Sequence, residues 1–157
     1  MANSSKEDID MVSNLVIGFR DKALENRRNV DLALTRMFLD LAKLSHLIYK
    51  LNAYEAVVEE KEIPLVSPSE CEFGKWLNEE TTAKKIGCLS EYKTIKNKIH
   101  PSIHNLTNKA LTCIETKTCT KQKDKIIETF KEINKISQQL SEEMEKLFDE
   151  YTKKPCS

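Results

Sequence analysis

The chain has 157 residues, enough for one domain with a sizeable core. Its 25 Lys and Arg balance its 25 Asp and Glu, and a formal net charge of zero argues against general binding to nucleic acid or anionic membranes, which needs a basic excess. With Gly at 3, Pro at 4 and abundant Lys, Glu, Leu and Ile, the composition is helical.

The start, MANSSKEDID, is polar and acidic and lacks the apolar centre of a signal peptide. No run of about 18 apolar residues is present to cross a membrane. Both observations point to the cytoplasm and to no membrane partner. The arginines (Arg20, Arg27, Arg28, Arg36) all fall early, but Asp21, Glu25 and Asp31 interleave with them, as on a solvated helix face.

Residues 3–24 form the first predicted helix, with Ile9, Val12, Leu15, Val16 and Phe19 on its apolar side and Ser4 and Glu7 spaced as a capping box. Residues 1–25 would be a connector, and 26–157 the domain proper. A second, longer helix is expected over about 27–61. Val30, Leu34, Met37, Leu41, Leu44, Ile48 and Leu51 recur at alternating spacings of four and three. Phe38, Ala42, His46, Tyr49, Ala53 and Val57 lie about half a turn away. A helix apolar on two sides must be covered on two sides. One side can face its own bundle; the other, which holds His46, needs the first helix or a second copy.

Pro64 and Pro68 end this pattern and stiffen the connection to the next element. Ser69 offers a cap for a short helix carrying Cys71 to Glu80, and Gly87 closes the next loop. A third helix is expected over about 89–117, its stripe being Tyr92, Ile95, Ile99, Ile103, Leu106, Ala110 and Cys113. Pro101 should kink it or start a new turn. A fourth helix, about 121–153, carries Ile126, Phe130, Ile133, Leu140, Met144, Leu147 and Tyr151. No strand alternation competes. The expected fold is all-α: an antiparallel four-helix bundle with an additional short helix carrying Cys71.

The cysteines are Cys71, Cys88, Cys113, Cys119 and Cys156. An odd count with no secretion signal predicts reduced thiols. Cys113 and Cys119 lack C-x-x-C spacing. Cys88 and Cys113 read as small core or boundary residues and Cys156 as exposed and incidental.

The histidines are His46, His100 and His104, and no others. His100 and His104 sit one helical turn apart, so both imidazoles can reach one ion. His46 lies on the long helix, and the short helix projects Cys71 toward the same place. A lone helical histidine or buried cysteine is more often packing than a ligand. Three imidazoles and one thiolate from three helices, however, make a closed tetrahedral set suited to zinc. Gly74 would allow close backbone approach, and Phe73 and Trp76 could cover the ion with apolar surface.

Three stretches now resemble a known family: S-H-L-I-Y-K-L-N-A-Y at 45–54, C-E-F-G-K-W-L at 71–77 and H-P-S-I-H at 100–104. Together they are similar to the chemoreceptor zinc-binding domain family over about residues 30–115. The resemblance implies His46, Cys71, His100 and His104 as zinc ligands, and a cytoplasmic helical homodimer. It implies a role beside chemoreceptors or diguanylate cyclases, adjusting chemotaxis or cyclic-di-GMP output in response to zinc or to oxidants such as hypochlorous acid. Ser45 stands where many members have Asp, and Glu72 where they often have Arg. Glu72 should favour protonated Cys71. The alternative is a structural zinc site that only stabilises a dimerisation module. A zinc hydrolase is disfavoured, since four protein ligands close the sphere and Pro101-Ser102-Ile103 offers no general base.

Overall fold

The computed structural model describes residues 2–154 and 156. Helices and their connections make up the described residues, without a strand, as the sequence periodicity leads one to expect. They divide into two compact units, one up to Phe38 and one from Leu39 onward.

The first helix, α1, runs unbroken over Ala2–Glu59. The expected break near residue 25 does not occur. The reason is local: Leu24 to Asn29 contains no Gly or Pro, and Leu, Glu and Arg are good helix formers. The helix already spans Ser4, and the side chains of Ser4 and Glu7 lie outside the described residues. In the N-terminal unit Ile9, Val12, Leu15, Val16 and Phe19 are exposed. Arg20 pairs with Asp21 at 3.1 Å and Lys22 with Glu25 at 2.8 Å, both on open surface where such pairs add little.

From Leu39 onward the two sides of α1 part company. Leu39, Ala42, His46, Ala53, Ala56 and Val57 are buried in the bundle, whereas Leu41, Leu44, Ile48 and Leu51 are exposed. So the side holding His46 is the one covered by this unit. The stripe spaced at fours and threes is the one left open, and the helix expected to cover α1 is part of α1 itself.

Glu60 ends α1 in a left-handed conformation, φ 51°, and Lys61 N–H closes on Ala56 O at 2.9 Å, a Schellman turn without glycine. After the proline-bearing connection come α2 (Glu72–Asn78) and α3 (Glu80–Ile86). The cap of α2 is Cys71 and not Ser69. Sulfur replaces oxygen as the acceptor, and the single expected helix is two short ones joined at Glu79.

The third expected helix is a composite: α4 (Ser90–Thr94), a wide π turn (Ile95–Ile99) and α5 (His100–Glu115). Pro101 stands in the first turn of α5, where its missing N–H costs least. The wide turn upstream absorbs what an uninterrupted α-helix could not. Lys117, φ 50°, closes α5 with Thr118 N–H on Cys113 O at 2.9 Å. After a 3-10 turn at Thr120–Gln122, α6 (Lys123–Lys153) buries Ile126, Phe130, Ile133, Leu140, Met144, Leu147 and Tyr151, the stripe read from its period. Next to the α5–α6 turn, Ala53, Ala56, Val57, Ala110, Leu111, Ile114, Ile126, Phe130 and Ile133 form one apolar cluster.

The cysteines correct the expectation of free thiols. Cys113 bonds Cys119 across the α5–α6 turn, with Cα atoms 4.8 Å apart, and Cys88 bonds Cys156, with Cα atoms 5.8 Å apart. The first pair is local, formed because the turn reverses the chain within six residues. The second was hidden by its 68-residue separation: α6 runs back until its end meets the loop after α3. Cys113 is buried as expected, but Cys88 is exposed and Cys156 is bonded and not incidental. Cys71 is the free cysteine among the described residues.

Candidate metal centre

Four donors converge. His46 comes from α1, Cys71 from the cap of α2, and His100 and His104 from the first two turns of α5; their ligand atoms all lie within 4.8 Å of one another. The histidines are only 7 %, 2 % and 1 % exposed, in chain order. The ring centroids of His100 and His104 are 4.8 Å apart, and His46 stands 5.1 and 5.3 Å from them.

In His46 and His104 both ring nitrogens have a defined role. His46 Nδ1 lies 2.7 Å from Ala42 O, and His104 Nδ1 lies 3.0 Å from Val66 O. A carbonyl only accepts, so both Nδ1 atoms carry the proton and both Nε2 atoms keep a lone pair. Those two Nε2 atoms are buried with no hydrogen-bond partner. His100 Nε2 approaches Cys71 Sγ at 3.1 Å. Buried acceptors without donors are costly, and an incoming cation is the partner that satisfies them all at once.

Electrostatics agree with that reading. Burial, then the neighbouring His46 and His104, holds His100 down at about 3, and burial, then His46, holds His104 down at about 4. Burial also lowers His46. All three are therefore neutral at pH 7, the form that ligates. Burial pushes the Cys71 thiol up; the N–H groups of Gly74 and Phe73 oppose this, Glu72 adds to it and Lys75 opposes it. Glu72 thus acts in the expected direction but is not the main cause. It is exposed and pairs with Lys75 at 2.5 Å.

The surroundings of Cys71 explain its motif. Gly74 N–H donates to Sγ at 3.2 Å, so the sulfur that faces the histidines also caps α2. A Cβ on Gly74 would stand 1.7 Å from Pro68 O and 3.1 Å from His100 Cε1, so only glycine lets the connection pass this closely. Phe73 meets His46 edge-on at 5.7 Å and His100 at 5.2 Å, while Trp76 stacks behind Phe73 at 5.8 Å. Phe73 is the direct apolar cover, and Trp76 supports it.

Four participants escape a reading by residue type. Ala42 and Val66 act through backbone carbonyls, which leave no trace in a sequence. Ser45 is exposed, and the proton of His46 goes to Ala42 one turn away. Asn108 and Tyr49 border the site through hydrogen bonds. Their one sequence signal is placement: Asn108 follows His104 by four residues and Tyr49 follows His46 by three.

The donor set, three neutral imidazoles and one thiol from three buried histidines and a half-buried cysteine, fits zinc in number and in chemistry. Among the described residues no helix is long and apolar enough to cross a membrane. No curated protein and no solved structure matches the chain. The family model described as the chemoreceptor zinc-binding domain matches residues 46–111, a span that holds all four converging residues. Over that span the chain is similar to chemoreceptor zinc-binding domains.

Proposed function

We propose that His46, Cys71, His100 and His104 hold one zinc ion, and that the chain is a sensory or regulatory module of signal transduction that responds to zinc availability or to oxidants. The observation that carries this reading is the pair of buried, unpartnered Nε2 atoms of His46 and His104 beside the Cys71–His100 contact. When bound, zinc supplies a dication that favours the thiolate form of Cys71. The reading is non-catalytic, because four protein donors leave no open position for water and Pro101-Ser102-Ile103 brings no carboxylate base.

Cys71 is the residue through which an oxidant would act. Its thiolate sulfur attacks hypochlorous acid, chloride leaves, and the product is a sulfenic acid. That sulfur is then a poorer ligand and a poorer acceptor for Gly74 N–H, so α2 loses its cap as the site loses a donor. A local oxidation becomes a rearrangement of the short helix.

A second copy of the chain is the partner we propose for the open side of α1, where Leu41, Leu44, Ile48, Leu51, Tyr54 and Val58 are exposed. Residues 1–25 serve as a connector toward an output protein, a chemoreceptor or a cyclic-di-GMP enzyme. The cytoplasm is the proposed location.

Zinc per chain, measured in protein purified without added metal, tests the site. About one zinc is expected in the wild type, with reduced retention in Cys71→Ala. No zinc in either would overturn the reading. Titrating hypochlorous acid against a chromophoric zinc reporter then separates the roles: release of zinc supports sensing, and zinc that survives the oxidant makes the site a structural brace. Sedimentation of wild type and Ile48→Glu tests the dimer, and a monomeric wild type would remove it.

A further inference from the structure

Val66 lies in the irregular connection between α1 and α2, yet its carbonyl is held twice. It accepts His104 Nδ1–H at 3.0 Å and Asn108 Nδ2–H at 3.2 Å. Both donors come from one face of α5, one turn apart, and a carbonyl oxygen has two lone pairs to serve both. Asn108 is oriented in turn. Its Oδ1 accepts the Tyr49 hydroxyl at 2.6 Å, so the amide must turn its donor end to Val66. Tyr49 also stacks on the His104 ring, with centroids 5.2 Å apart and planes 27° apart. Tyr49 on α1, Asn108 and His104 on α5, and Val66 in the connection thus form a closed ring of contacts.

We propose that Asn108, set by Tyr49, is a positioning residue of the metal centre that fixes the connection at Val66 and so places both His104 and Cys71. The inference rests on the zinc reading above. Val66 stands five residues before Cys71 in a segment without helical hydrogen bonds to hold it. Between them, Pro68 O faces both the Cys71 thiol, at 3.7 Å, and Gly74. Holding Val66 therefore limits where that thiol can sit. The same carbonyl fixes the His104 tautomer with Nε2 free to ligate. Asn108 touches no ligand atom; it acts through the carbonyl that orients one ligand and tethers another.

The test uses the full chain with zinc(II) and cobalt(II). Asn108→Asp keeps the shape but sets an acceptor against Val66 O. Tyr49→Phe keeps the stacked ring and removes one hydroxyl, so it retains the fold should the first variant fail. Both are expected to weaken zinc binding about 10-fold or more, in competition with a chromophoric chelator. The visible bands of the cobalt-loaded protein should shift, while helix content by circular dichroism stays as in the wild type. The double variant should lose less than the product of the two single losses, because both act on one amide. Wild-type zinc affinity with an unchanged cobalt spectrum in Tyr49→Phe and in a folded Asn108→Asp would overturn the proposal and leave the zinc site standing. A wild type that binds neither metal would overturn the zinc reading itself.

Discussion

Two regions of the Leu39–Ser157 unit share the same helices and are finished in opposite ways. Near the α5–α6 turn, Ala53, Ala56, Val57, Leu111, Ile114, Ile126, Phe130 and Ile133 meet one another and nothing is left over. Farther along, His46, Cys71, His100 and His104 meet as closely, yet two ring nitrogens remain without partners. Close packing completes an apolar region by itself, because dispersion and water exclusion need no matching of donors. A cluster of acceptors cannot be completed that way; it requires a cation. The first region therefore sets the stability of the bundle, and the second makes part of that stability conditional on a ligand.

Separate perturbation of the two regions sharpens the contrast. Ile133→Ala, in the self-sufficient region, should cost about 3–4 kcal/mol in chemical denaturation. The cost should be equal with and without a chelator, and zinc per folded chain should not change. A loss that vanished on chelation would merge the two regions into one. Zinc removal is the complementary experiment: at free zinc 100 times its dissociation constant, binding contributes about 2.7 kcal/mol. Chelation should remove that amount from the wild type and almost nothing from Cys71→Ala. Equal losses in both would show that the stabilising metal sits elsewhere.

Smaller changes probe the border between the regions. Gly74→Ala adds a methyl where Pro68 O allows none, so the connection must move; about 1–3 kcal/mol of stability and part of the zinc affinity should go together. Retention of both would mean that Pro68 yields freely. Lys117→Gly, beyond the apolar region, should stabilise by about 0.5–1 kcal/mol, since Lys117 holds a left-handed φ of 50°. A destabilised variant would mean that the Lys117 side chain contributes more than its backbone costs.

Much of this arrangement was legible in the residues. The apolar period of α6 named its buried stripe in full, because a helix covered on one side writes that side into its spacing. The four residues that converge were legible because three histidines and the cysteine motif leave few ways to be combined. The two sides of α1 were harder. Both are apolar, and periodicity alone does not tell which of them meets this unit's own helices. The break expected near residue 25 was absent because a change of stripe is not a helix stop when no breaker stands there. The left-handed turns at Glu60 and Lys117 carry no glycine to announce them. The Cys88–Cys156 bond and the Tyr49–Asn108–Val66 ring join residues far apart in sequence, and such contacts become visible only once the helices are placed.

The wide turn at Ile95–Ile99 has a consequence best put in terms of phase. It spends one residue more than an α-helical turn, and tightening it would rotate α5 relative to α4 by about 100° and shift it by about 1.5 Å. Pro101 has no N–H to offer Asn97 O in a tightened turn, and its ring would collide with that carbonyl. The proline therefore works as a stop in a ratchet. It keeps His100 and His104 in step with Tyr92 and Ile95, so both histidines face the centre or neither does.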